Sequence, residues 1–125
     1  MEQLPEHDRK DQLKRIQAHL IPCEILYAVY DCKGGGTGFV GITDRRLIFY
    51  DQSFIRKKKA IVSAPYSKIA TLASEDTGGI LIGSSRLIIT TTGGQIFEFG
   101  FRSNEKAHKA YTTIMTQILQ SEVPA

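Results

Sequence analysis

No stretch of this 125-residue chain approaches the ~20 consecutive apolar residues that a helix needs to cross a bilayer. The opening residues MEQLPEHDRK are acidic and polar, unlike the basic start and apolar block of a signal peptide. Cysteine is scarce as well: Cys23 and Cys32 flank one apolar segment, and if that segment is a strand, ~3.3 Å per residue holds them roughly 30 Å apart. They cannot bridge within it, and two reduced thiols point to a cytoplasmic protein. Catalytic patterns are also missing. His7, His19 and His108 have no metal-ligand spacing, and Gly83-Ser84-Ser85-Arg86 is not a nucleophile elbow. Lys33 to Gly38 is glycine-rich but lacks the Gly-Lys-Ser/Thr ending of a phosphate loop and precedes no helix. With no nucleophile, acid/base pair or metal set, the expectation is a protein that is not an enzyme and carries no cofactor.

What is present is ordinary globular material, 42% hydrophobic and 23% charged, enough for one domain with a real core. The net charge of +3 permits an acidic partner without requiring one.

Leu13, Ile16 and Leu20 recur at helical spacing between Pro5 and Pro22, which predicts an amphipathic helix of three or four turns within residues 1–22, packed on the domain. From Glu24 the texture changes to short β-branched and aromatic runs punctuated by glycine: EILYAVYDC, TGFVGIT, RLIFYDQ, KKAIVSAPY, IATLASED, SRLIITTT and QIFEFGF. Helical spacing returns over 103–120 with Ala107, Ala110, Tyr111, Ile114 and Ile118, behind Ser103 or Asn104 as N-cap. Residues 121–125 form a tail. The expected architecture is mainly β, a seven-stranded antiparallel sandwich or partly open barrel over 23–120, capped by the C-terminal helix and flanked by the N-terminal one.

Hairpin loops fix which residues face one another. A loop at Asp44-Arg45 sets Ile42 opposite Leu47, Val40 opposite Phe49 and Phe39 opposite Tyr50. One face is then Val40, Ile42, Leu47 and Phe49; the other, with Phe39, Ile48 and Tyr50, is apolar too. A loop at Gly93-Gly94 pairs Thr90 with Phe97, Ile88 with Phe99 and Arg86 with Phe101, turning Leu87, Ile89 and Ile96 to the reverse face. A sandwich buries one face of each sheet, so Phe39, Ile48, Tyr50, Leu87, Ile89 and Ile96 form an expected interface, covered by the N-terminal helix, a partner chain or both.

The stretch GFVGITDRRLIFYD resembles the Gly-x-x-x-x-Thr-x-x-Arg-Leu-apolar-aromatic signature of bacterial pleckstrin-homology-like and GRAM-type domains, and Pro65-Tyr66-Ser67-Lys68-Ile69 resembles the turn those families place before their fifth strand. The resemblance implies the pleckstrin-homology superfold, with Thr43, Asp44 and Arg46 as structural corner residues: Thr43 bonding within the turn, Arg46 laying its stem over apolar surface. Members of the superfold that bind phosphoinositides use basic residues at the end of the first strand and within the second. Here TGFVGIT has none, and Lys33 stands alone beside the loop.

Arg56-Lys57-Lys58-Lys59 is the densest charge cluster. At about 1 kcal/mol per basic residue near an anionic lipid surface, four residues give ~4 kcal/mol, recruitment rather than anchoring. The alternative is a solvated loop that keeps an edge strand from pairing. Nucleic acid is disfavoured, because Phe97, Phe99 and Phe101 turn inward and cannot stack on bases. Two functions therefore stand after the enzyme is set aside. One is an interaction domain working through a protein partner or self-association. The other is weak peripheral binding to the inner face of an anionic membrane through Lys33, Arg56, Lys57, Lys58 and Lys59.

Overall fold

The computed structural model describes residues 4–33, 36–51, 60–76 and 85–122. In chain order the elements are β1 (Glu6–His7), α1 (Lys10–Gln17), β2 (Leu26–Asp31), β3 (Thr37–Thr43), β4 (Arg46–Asp51), β5 (Ala60–Pro65), a 3-10 turn (Tyr66–Lys68), β6 (Ile69–Asp76), β7 (Ser85–Thr91), β8 (Ile96–Gly100) and α2 (Asn104–Ser121). Strands β1 to β5 form one sheet in that order and β6 to β8 a second; β1 runs parallel to β2, and the other pairs are antiparallel. The seven long strands and the C-terminal helix are those expected. The two-residue β1 is additional.

The core lies between the sheets, where Val40, Ile42, Leu47 and Phe49 meet Leu87, Ile89, Phe99 and Phe101. Phe49 sets its ring edge-on to Phe99 at 5.1 Å. Helix α2 inserts Ala107, Ala110, Ile114 and Ile118 into the same core, and its first turn is capped by the Ser103 hydroxyl accepting from the Lys106 N–H at 3.1 Å.

The β3–β4 register is Val40 opposite Phe49 and Ile42 opposite Leu47. The β7–β8 register differs by one residue from the expectation: Thr90 faces Ile96, Ile89 faces Phe97, and Leu87 faces Phe99. The cause is the loop, which spans Thr92, Gly93 and Gly94 rather than two glycines. Thr91 closes it, its N–H donating to the Gln95 carbonyl at 2.9 Å and its hydroxyl accepting from the Gln95 N–H at 3.1 Å, with Gly94 at φ 89° in the left-handed region. One slip turns β7 over against β8, whose Phe97, Phe99 and the following Phe101 keep the inward face expected of them. Leu87 and Ile89 therefore belong to the core, not to an outer interface, and Ile96 remains exposed.

The other face of the five-stranded sheet carries a second apolar cluster, in which Leu13 and Ile16 of α1 cover Val29, Phe39 and Ile48. Helix α1 has eight residues, shorter than the three or four turns expected. Before Lys10 the chain is drawn out to pair with β2, and after Gln17 it turns, although Leu20 still packs on the cluster. A helix this short is marginal alone and is held by its apolar stripe. Gly41 lets it close: a Cβ there would lie 2.7 Å from Ile16 Cγ2.

Where the sheets meet, the Lys33 N–H donates to the Gly100 carbonyl at 2.8 Å, and a Cβ on Gly100 would stand 2.6 Å from the Lys33 carbonyl oxygen. The obstacle is backbone and cannot rotate away. Gly100→Ala is expected to open this corner and lower stability by about 2 kcal/mol, read by urea unfolding and by faster hydrogen exchange at the Lys33 amide.

Candidate functional site

The corner between β3 and β4 is a closed polar network. The Thr43 hydroxyl accepts from the Arg45 and Arg46 N–H groups at 3.0 Å each and donates to Glu24 Oε2 at 2.8 Å. Arg46 grips both oxygens of Glu24 at 2.9 Å, and its guanidinium reaches on to Ser63 Oγ at 3.0 Å and the His19 carbonyl at 2.8 Å. The Glu24 carboxylate is fully buried, and the Arg46 hydrogen bonds hold its pKa down at about 2 against the desolvation that would raise it. Beneath the corner the Tyr66 hydroxyl donates to the Thr43 carbonyl at 2.6 Å. Asp44 accepts from the Ile25 N–H at 2.9 Å. Thr43, Glu24, Arg46 and Tyr66 bond one another across this corner, which is the chemistry of a brace. Arg46 does more than lay its stem on apolar surface. Its partner is Glu24, an acid that opens an otherwise apolar run and that the spacing of the corner motif does not mark.

Of the six expected interface residues, Phe39 and Ile48 lie under α1, and Leu87 and Ile89 lie in the core. Tyr50 is half-buried, stacked on Phe39 at 5.4 Å, with the Arg15 guanidinium 4.8 Å over its ring. Only Ile96 is freely exposed. The surplus face is thus covered by the chain's own helix.

Lys33 is exposed at the end of β2. Arg56, Lys57, Lys58 and Lys59 lie outside the described residues. His19 and His108 are exposed and His7 is half-buried; among the described residues no cluster of His, Cys, Asp or Glu is arranged to hold a metal ion. Cys23 is exposed and Cys32 buried, and both thiols are free.

The N-terminal arm is latched to the start of α2. Glu6 accepts from the Tyr30 hydroxyl at 2.7 Å, Asp8 pairs with Lys106, and Asp31 accepts from Gln12 Nε2 and Arg102 Nε at 2.7 Å each. Burial pushes the Asp31 pKa up, but the hydrogen bonds from Gln12 and Arg102 outweigh it and leave the group below its ordinary value. At the other side of the fold, a groove of about 280 Å³ opens between Val62, Ser63, Ala64 and Pro65 of the edge strand β5 and the β7–β8 hairpin, with Gln95 and Phe97 on its wall. No helix of the described residues is long and apolar enough to cross a membrane.

Comparison with known proteins places this geometry. The family model described as "Bacterial PH domain" matches residues 24–116. An uncharacterised protein of Bacillus subtilis strain 168, YozO, is 28% identical over 93 residues, covering 74% of this chain and 77% of that protein. The crystal structure of a pleckstrin homology domain from Shewanella amazonensis aligns with a TM-score of 0.64 at 21% identity, over 90% of this chain and 99% of that one. A DUF1696 family protein with a pleckstrin-homology domain, from Shewanella loihica, aligns with a TM-score of 0.62 at 17% identity, over 91% of this chain and 96% of that one. Both structures share the fold.

Proposed function

Since the chain belongs to the bacterial PH domain family, matched over residues 24–116, we propose that it is a non-catalytic interaction module working through a protein partner or a second copy of itself. The observation that carries this reading is the groove beside β5. Its lining is apolar at Val62, Ala64, Pro65 and Phe97 and polar at Ser63, Lys68 and Gln95, and one wall is an edge strand able to pair with an incoming extended segment.

A photo-crosslinking residue at the exposed Gln95 tests it, alongside light scattering over a range of concentrations. A crosslinked dimer that Thr92→Arg in the same groove disperses supports self-association through the groove, and a crosslink to one other polypeptide that Thr92→Arg abolishes supports a partner. A monomer at every concentration, with no crosslink formed in cells, removes the groove as a contact site.

A second reading is peripheral binding to anionic membrane through Lys33 and Arg56 to Lys59, favoured by the exposure of Lys33 at the end of β2. Flotation with acidic vesicles is expected to fail when Lys57, Lys58 and Lys59 become Ala; unchanged flotation would sink this reading.

A further inference from the structure

Strand β1 is only two residues long, yet four donors from β2 and α2 converge on the two acids that it carries or adjoins. The Asp31 N–H donates to Asp8 Oδ2 at 2.9 Å, and the Lys106 ammonium donates to Asp8 Oδ1. The Tyr30 hydroxyl donates to Glu6 Oε2 at 2.7 Å, and Lys109 lies 3.6 Å from Glu6 Oε1. The residue between the acids, His7, turns its ring back to the Pro5 carbonyl at 2.8 Å. Two carboxylates one residue apart thus share a side of an extended segment, as strand alternation requires.

The cradle calls for negative charge. Lys106 stands in the first turn of α2, where the positive end of the helix disfavours a cation, so a carboxylate placed there answers both charges at once. The fixed acids nearby do not fill that need. Asp31 is held by Gln12 and Arg102, and Glu105, beside Lys109, is 80% exposed.

The cradle is also longer than its occupant. Pairing begins at Glu6 opposite Ala28, and Leu4 before it is exposed. Towards the start of β2 a hollow of about 430 Å³ continues between Tyr27 and the α2 face of Lys109, Thr112 and Thr113, and Leu4 does not line it. The fit of the arm is incomplete as well. Gln12 Oε1 is buried beside the latch with no hydrogen-bond partner among the described residues, and α1 opens at Arg9 without a side-chain cap.

We infer that this cradle is a docking site for an extended acidic segment of a partner protein, with two acids one residue apart, lying along β2 as the chain's own Glu6-His7-Asp8 does. The arm is an internal stand-in, which such a segment displaces. A short tether keeps the arm at an effective concentration on the order of millimolar, so it sets a threshold that weak acidic sequences do not cross. A segment reaching on into the hollow gains contacts that the arm does not make. The site shares no lining residue with the β5 groove, so either can fail while the other stands.

The probe is a fluorescein-labelled peptide of residues 1–9, MEQLPEHDR, titrated against the full-length chain by anisotropy. A host with Glu6→Ala and Asp8→Ala, its arm stripped of both acids, is expected to bind the peptide about tenfold more tightly than wild type, whose own arm competes. Asp8→Asn alone, of unchanged shape, is a second host and should also exceed wild type; each host is checked for an unchanged thermal melt. Within the peptide, Asp8→Asn should weaken binding about tenfold and Glu6→Gln about threefold, since Asp8 is 14% exposed in the cradle and Glu6 47%. Lys106→Ala in the host abolishes binding, and Lys68→Ala, in the β5 groove, leaves it unchanged. No binding to either host overturns the inference. So does a peptide neutral at both positions that binds as tightly as the acidic one, or equal affinity of the hosts and wild type. Wild-type dimers that the peptide dissolves in light scattering overturn it too, assigning the cradle to the arm of a second copy.

Discussion

Arg46→Ala is expected to lower the unfolding free energy by about 3 to 5 kcal/mol, because it removes the only cation from a fully buried carboxylate and leaves it the Thr43 hydroxyl and the Ile21 N–H alone. The loss exceeds that of an ordinary surface ion pair, where solvent replaces the missing partner. Arg46→Lys is expected to recover only part of it, since an ammonium cannot grip both oxygens and still reach Ser63 and the His19 carbonyl. Urea titrations at neutral pH read both. Acid gives an independent check. Glu24 is held at about 2 against an ordinary 4.5, so its folded-state pKa is depressed. Its contribution is fully present above pH 4.5 and is lost as pH falls towards 2, about 3 kcal/mol in all. Wild-type stability should therefore fall steeply over that window. In Arg46→Ala the same limb should be nearly flat; a limb as steep as the wild type's would show that the pair does not govern it.

Ile16→Ala comes second, with an expected loss of about 2 to 5 kcal/mol for a fully buried side chain seated between α1 and the sheet. The gap would not close easily, because Gly41 beneath it offers no side chain to swing in. Paired with Leu13→Ser, the change should release α1 altogether and bare Phe39 and Ile48. Light scattering then reports the outcome: the doubly altered protein associates further than the wild type, and Phe39→Ser in the same background reverses the gain. If the doubly altered protein keeps the wild-type oligomeric state and near-ultraviolet spectrum, the helix is not what shields this face.

Much of the frame could be read from residues alone. The β3–β4 register followed from a tight corner flanked by apolar pairs, and the seven long strands from their β-branched and aromatic runs. The β7–β8 register did not, because Gly93-Gly94 suits a two-residue loop as well as a three-residue one. What decides between them is a hydroxyl, on Thr91, that ties the loop one residue earlier. Strand β1 was beyond reach, since two residues have no periodicity and their parallel partner lies 22 positions on. The length of α1 was overread from Leu20, which keeps the helical spacing and joins the cluster from outside the helix. Glu24 escaped because pattern alone treats a charged residue at a strand start as solvated, and its partner is fixed only once the corner folds. Of the six residues assigned to an interface, the four now buried owe their places to that register slip and to α1 itself.

The close seat of Ile16 on the Gly41 backbone also bears on time. Eight helical residues resting on a flat strip of sheet have no intermediate depth at which to stop, so α1 should detach as a unit or not at all. Amide exchange in α1 and at Val29 should then follow one shared opening rate, slower than fraying yet faster than global unfolding, while amides at Leu47 and Phe49 wait for the whole chain. On that clock the second sheet face, invisible at equilibrium, would be presented to the cell in brief, synchronous intervals.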